Sequence, residues 1–177
     1  AAKIEGQVAR LQKEAGADGV GSGFTRAHLQ LLALAAVANA AECRVKLKEL
    51  CAAVGLDALA HPLAVLEDEY LLRLRSVGSE STVGGLHALR SHAIEAALLR
   101  DCPEAWGELA VRCLPLVLDE DVERFLLSAF SRRPEHSAAL ETTARGLPLR
   151  TWSHAGGVGR ALLWEGVNRY ERENHEV

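Results

Sequence analysis

Residues 29–41, LQLLALAAVANAA, limit what this chain can fold into more than any other stretch. They hold two amides, Gln30 and Asn39, and no charge. Such a segment leaves water either inside a bilayer or inside a protein core. A bilayer span needs roughly 18–20 apolar residues; this run has thirteen and follows the polar TRAHLQ. It does not open the chain, and no basic segment precedes it, so it does not read as a signal peptide. The expectation is a buried helix. Thr25 serves as its N-cap, and Leu29, Leu32, Ala33, Ala36 and Val37 form its apolar stripe.

Composition supports a helical core around that run. The 177 residues are 49% apolar but only 5% aromatic, which favours packing through Leu and Ala over a β-sandwich. The sequence begins with Ala and has no Met, so it reads as a piece of a longer protein. Net charge is −4, against the basic excess of a general nucleic-acid binder. The cysteines, at 43, 51, 102 and 113, form no CxxC pair. They read as reduced thiols of a cytoplasmic protein rather than zinc ligands.

Three segments are expected. Residues 1–23 form a terminal helix, with Ile4, Val8 and Leu11 on one face, and a linker from Gly16. Residues 24–101 form a second unit and residues 102–177 an all-helical third. In the second unit VKLKELCAAVGL buries Leu47, Leu50, Cys51 and Val54 and ends at Gly55. A helix over 57–70 follows, with Pro62 in its first turn and Leu63, Leu66 and Tyr70 inward. LLRLRSV and STVGGL are extended segments joined by GSE, a hairpin. HALRSHAIEAALLRD then gives a helix with Leu89, Ala93, Ile94, Ala97 and Leu98 on its inner side. In the third unit Pro103 opens one helix and Pro115 ends or kinks it. Asp119 caps another, with Val122, Phe125, Leu126, Ala129 and Phe130 at helical spacing. A further helix spans 134–146. The last runs from Val158 to Asn174 with Leu162, Val167 and Tyr170 inward. The fold class is therefore mainly α: a winged-helix domain, meaning a helix-turn-helix plus a short β-hairpin wing, followed by an all-α domain.

A winged helix invites a DNA-binding reading. The helix over 57–70 would then enter the major groove, yet it carries Asp57, Glu67, Asp68 and Glu69 and no Lys or Arg. Phosphates repel such a face. Lys46, Lys48, Arg73 and Arg75 nearby leave room for a small contact, so a DNA-binding regulator stays as an alternative. A non-catalytic helical protein-interaction module is another.

The pieces LKELCAAVGL, AVLEDEYLLRLR and GLHALRSHAI, in that order, resemble the winged-helix domain of STAND nucleotide-triphosphatases. These are the signalling ATPases of apoptosome, plant-resistance and bacterial antiviral types. The likeness covers residues 44–98. In that family a histidine opens the helix after the wing and touches the β-phosphate of bound ADP, locking a closed state. By position the resemblance makes His87 that residue, followed here by Ala88 where the family often has an acidic residue or Pro. Arg90, one turn on, could support the same phosphate. The other readings are a capping or interface histidine and a solvent-exposed arginine.

A complete ATPase needs GxxxxGK[ST], which this sequence lacks. GVGSGFT (19–25) reads as linker, and HAGGVGRALL (154–163) as a helix start or interhelical turn. The expectation is a non-enzymatic regulatory and scaffold segment, with no cofactor of its own. ADP or ATP with magnesium would sit in the parent protein's nucleotide-binding domain, the segment's partner. Homo-oligomerisation would follow activation. Neither nucleic acid nor membrane is an expected partner.

Overall fold

The computed structural model describes residues 2–16, 24–57, 63–77, 80–148 and 151–175. Its centre is α2 (Arg26–Ala40), built from the apolar run. The Thr25 backbone N–H donates to His28 Nδ1 at 3.1 Å, fixing the start of the helix. Burial is wider than a stripe: Leu31, Leu32 and every residue from Leu34 to Ala40 are buried. A helix so rich in alanine lets neighbours approach from several sides, and four do. They are α1 (Ala2–Gly16), α3 (Leu47–Val54), α5 (Ala88–Leu98) and α6 (Ala105–Cys113). α1 buries Ile4, Val8 and Leu11, as its spacing predicts. α3 ends at Gly55, whose φ of +74° needs glycine.

A small antiparallel sheet lies beside α2. Its strands are β1 (Val45–Lys46), β2 (Arg73–Val77) and β3 (Glu80–Gly84), in the order β1-β3-β2. The β2–β3 pair is the expected hairpin; residues 78 and 79 of its GSE turn lie outside the described residues. Register aligns Val45, Val83 and Leu74 across the sheet, and Lys46, Thr82 and Arg75 beside them. Strand side chains alternate between faces, so the second row makes a polar face. Lys46 and Thr82 on it are nevertheless buried. The chain from 117 to 121 lies along the outer edge of β1: Val117 bridges Val45, and the Leu118 N–H donates to the Arg44 carbonyl at 3.0 Å. Lys46 Nζ then reaches Asp119 Oδ1 at 2.6 Å.

The helix expected over 57–70 is shorter. Residues 58–62, with Pro62, lie outside the described residues, and α4 covers only Ala64–Asp68. Tyr70 has φ +54° and its side chain is 67% exposed, so it breaks the helix instead of packing inward. The acidic groups there have internal work: Glu67 Oε1 accepts the Leu74 N–H at 2.8 Å, tying α4 to β2.

Beyond residue 102 the chain is helical apart from short connections. Pro115 lies in a 3-10 turn (Leu114–Leu116) that closes α6. Asp119–Asp121 forms a second 3-10 turn, so Asp121 rather than Asp119 precedes α7 (Val122–Arg132). α7 buries all five residues expected of it. A 3-10 turn (Pro134–His136) leads into α8 (Ser137–Arg145). The last helix, α9 (Trp152–His175), starts six residues before the expected Val158. Its inner face holds His154, Val158, Ala161 and Glu165, while Val167 and Tyr170 are exposed, against expectation. Glu165 accounts for the rotation: it is fully buried and takes Arg172 at 2.8 Å and Arg169 at 3.6 Å.

One cluster of buried residues runs from Ile4 to Ala161. Described residues of all three expected segments belong to it, with α2 packed on both α1 and α6. Among the described residues no helix is long and apolar enough to cross a membrane.

Candidate functional site

His87 stands where β3 hands over to α5. It is the N-cap of α5, with φ −160° and ψ 141°, and its Nδ1 accepts the Leu89 N–H at 3.2 Å. An imidazole nitrogen that accepts carries no proton, so in the neutral ring Nε2 is the donor. The residue is exposed. The cap thus sets the tautomer and leaves an N–H for an outside acceptor. Capping also explains Leu89, expected inward but 74% exposed: the first turn of α5 lies at the surface, and burial starts at Ser91 and Ile94.

Arg90 is placed differently. Its Nε donates to the Tyr70 carbonyl at 2.6 Å, and its Nη2 reaches the Glu69 carbonyl at 3.3 Å and Gln7 Oε1 at 3.4 Å. It is a strut joining α5 to α1 and to the turn after α4. Glu69 belongs to the same knot: its Oε2 accepts from Gln7 Nε2 at 2.9 Å, and its Oε1 pairs with Arg10. Hydrogen bonds from Arg10 and Gln7 hold its carboxyl below the usual range. The structure does not bring Arg90 into the recess beside His87.

That recess has a volume of about 340 Å³. His87 lines it together with the Gly84–Gly85 backbone and with Arg44, Arg75 and Arg124. The glycines matter for space. A Cβ on Gly85 would overlap the Ser91 hydroxyl and come within 3.2 Å of Asn39 Cβ. Arg44 and Arg124 converge on Asp121, which is 1% exposed. Asp121 Oδ2 accepts the Arg44 backbone N–H at 3.0 Å and its Nε at 2.9 Å. Arg44 also pairs with Glu120. Burial pushes the Asp121 carboxyl up, but the Arg44 hydrogen bonds and the Arg44 and Arg124 charges outweigh it, and the net shift is downward. Arg44 and Arg124 carry no local sequence signal for this role, because they sit 80 residues apart and only the fold unites them. Arg75 is visible in sequence only as a charge on the hairpin.

A second polar group is enclosed between β1 and α9. Lys46 meets Asp119 there, and His154 Nδ1 lies 3.7 Å from Asp119 Oδ2 beside a cavity of about 50 Å³. That space suits a water or two. The glycines of HAGGVGRALL lie inside α9, and Arg160 of that stretch makes a two-pronged pair with Glu123 at 2.8 and 2.5 Å. Most of GVGSGFT, residues 19–23, lies outside the described residues. Cys43, Cys51 and Cys113 are buried and Cys102 is exposed, all free. Burial, with Asp121 nearby, pushes the Cys43 thiol up to about 12. Among the described residues no cluster of His, Cys, Asp or Glu could hold a metal ion.

No family model, curated protein or solved structure matches this chain.

Proposed function

We propose that this chain is a regulatory winged-helix segment of a STAND-type signalling ATPase, and that His87 reports nucleotide state. The observation that carries the reading is the capped, exposed imidazole: Nδ1 is occupied by the Leu89 N–H, and Nε2 is left to donate. In this reading α3, α4 and the β2–β3 hairpin are the helix-turn-helix and wing, and α5 is the helix the histidine opens. A neighbouring nucleotide-binding domain presents the β-phosphate of ADP, which accepts the Nε2–H and draws the winged helix into a closed position. Exchange for ATP removes that contact and frees the segment for oligomerisation. Hydrolysis and magnesium belong to the neighbour. Arg90 has no part in the clamp, since its guanidinium is spent on holding α5 to α1.

The test uses the full-length protein and the substitution His87→Asn. Asparagine caps helices well, so the start of α5 survives while the reach and the imidazole donor are lost. Co-purified ADP should fall at least about tenfold, the scale of one charge-assisted hydrogen bond. ADP content equal to wild type overturns the reading. Salt-sensitive binding of this chain to random duplex DNA, with ADP content unchanged, would favour the DNA-binding alternative.

A further inference from the structure

The recess beside His87 has more binding capacity than one imidazole contact needs. Three guanidiniums reach it from separate places: Arg44 just before β1, Arg75 on β2 and Arg124 on α7. Asp121 lies under Arg44 and Arg124 and cancels part of their charge. Among the described residues Glu42 is the one carboxylate on the wall. Arg75 has no side-chain hydrogen bond or ion pair among the described residues. Asn39, from the last turn of α2, also lines the recess. It is 3% exposed, and its Oδ1 has no hydrogen-bond partner. That oxygen is closed off even to water, so Asn39 serves the recess as wall and not as an acceptor for a ligand.

We infer that this recess binds a phosphate group of a small molecule, using residues of this chain alone. Arg75 and the remaining N–H groups of Arg124 supply charge-assisted hydrogen bonds to the oxyanion. His87 Nε2–H adds a donor at the rim. The glycine at 85 lets backbone lie flush against Asn39 and Ser91, where a Cβ would clash, and so complete the recess wall. The site shares His87 with the reading above but does not depend on a neighbouring ATPase domain.

The test is a titration of this chain with inorganic phosphate, sulfate or ADP at constant ionic strength, followed by the amide shifts of Gly84, Gly85 and Ala88. Phosphate should give saturable shifts at these amides. Arg75→Ala should weaken binding about tenfold, the loss of one ionic hydrogen-bonding partner. Arg73→Ala, on the same strand but off the recess wall, should leave it within about twofold, as expected for a screened exposed charge. Sulfate, a tetrahedral oxyanion of like size, should shift the same amides. Stronger binding of ADP than of phosphate would identify a nucleotide as the source of the group; equal binding would identify the free ion. No saturable shift at Gly85, or equal losses in the two arginine variants, overturns the inference. Phosphate binding together with unchanged ADP content in full-length His87→Asn would overturn the ATPase reading alone. The opposite pair of results would overturn the recess alone.

Discussion

Gly85 shows how much a single hydrogen atom in place of a methyl group can decide. Its backbone lies against Asn39 and Ser91, where a Cβ has no room. Gly85→Ala should destabilise the fold by about 1–3 kcal/mol, the usual range for overpacking. A urea midpoint equal to wild type, with an unchanged slope, would show that the contact relaxes at no cost. The neighbouring Gly84 meets only an ordinary contact, the Arg44 Cγ at 3.6 Å, so the demand falls on Gly85 alone. Sequence reading gave His87 its place at the head of a helix, because the pattern break after STVGGL is strong. It misjudged Leu89, Tyr70 and Val167, all apolar or aromatic residues at helical spacing that the fold leaves exposed. Spacing alone assigns them to a face; caps, a positive φ and a buried carboxylate decide which face turns in.

At the scale of elements, the sheet and the turn before α7 are held together by charge. Lys46 takes Asp119, while Arg44 and Arg124 take Asp121. This arrangement has a pH signature. The Asp121 carboxyl is held below its ordinary value in the folded state. Its stabilisation is therefore complete above the unfolded value of about 3.9 and is lost as pH falls through the lower folded value. Asp121→Asn should cost about 3 kcal/mol near neutral pH, the order expected when a buried ion pair loses one partner. The gap between variant and wild type should narrow below about pH 4, where the unfolded chain's carboxyl takes up a proton that the native one still resists. Urea midpoints measured from pH 7 to pH 2.5 check this; a gap constant across that range would remove Asp121 from the account. The long-range half of this seam is not legible in sequence. Lys46 and Arg44 lie more than 70 residues from their partners, and DEDVER, which holds the local Asp121–Arg124 pair, reads naturally as a helix start with acidic residues in the first turn.

For the whole molecule, the helical class and the order of elements were readable because they rest on local periodicity. The partition into three units was read from glycine-rich and polar stretches, which mark connections but say nothing about what packs across them. The buried cluster spans all three. α2 packs on α6, and β1 is edged by residues 117–118. A chain ended at residue 101 would expose the α6-facing side of α2 and leave Lys46 buried without Asp119. Such a truncation should lose cooperative unfolding and remain aggregation-prone, whereas the 177-residue chain should melt in one transition. Calorimetry of the two proteins compares them directly. A sharp independent transition for residues 1–101 would mean that the shared core is dispensable.

Cys102 sits in the connection between α5 and α6, exposed, while the other three cysteines are buried. Its thiol is held above the ordinary range by a hydrogen bond to Glu104, by the little desolvation it feels and by that carboxylate's charge. It should therefore react slowly at neutral pH and faster in mild alkali. The chain thus carries a native single-site handle: one fluorophore or spin label can be attached there without engineering, to follow how this segment moves relative to any larger assembly.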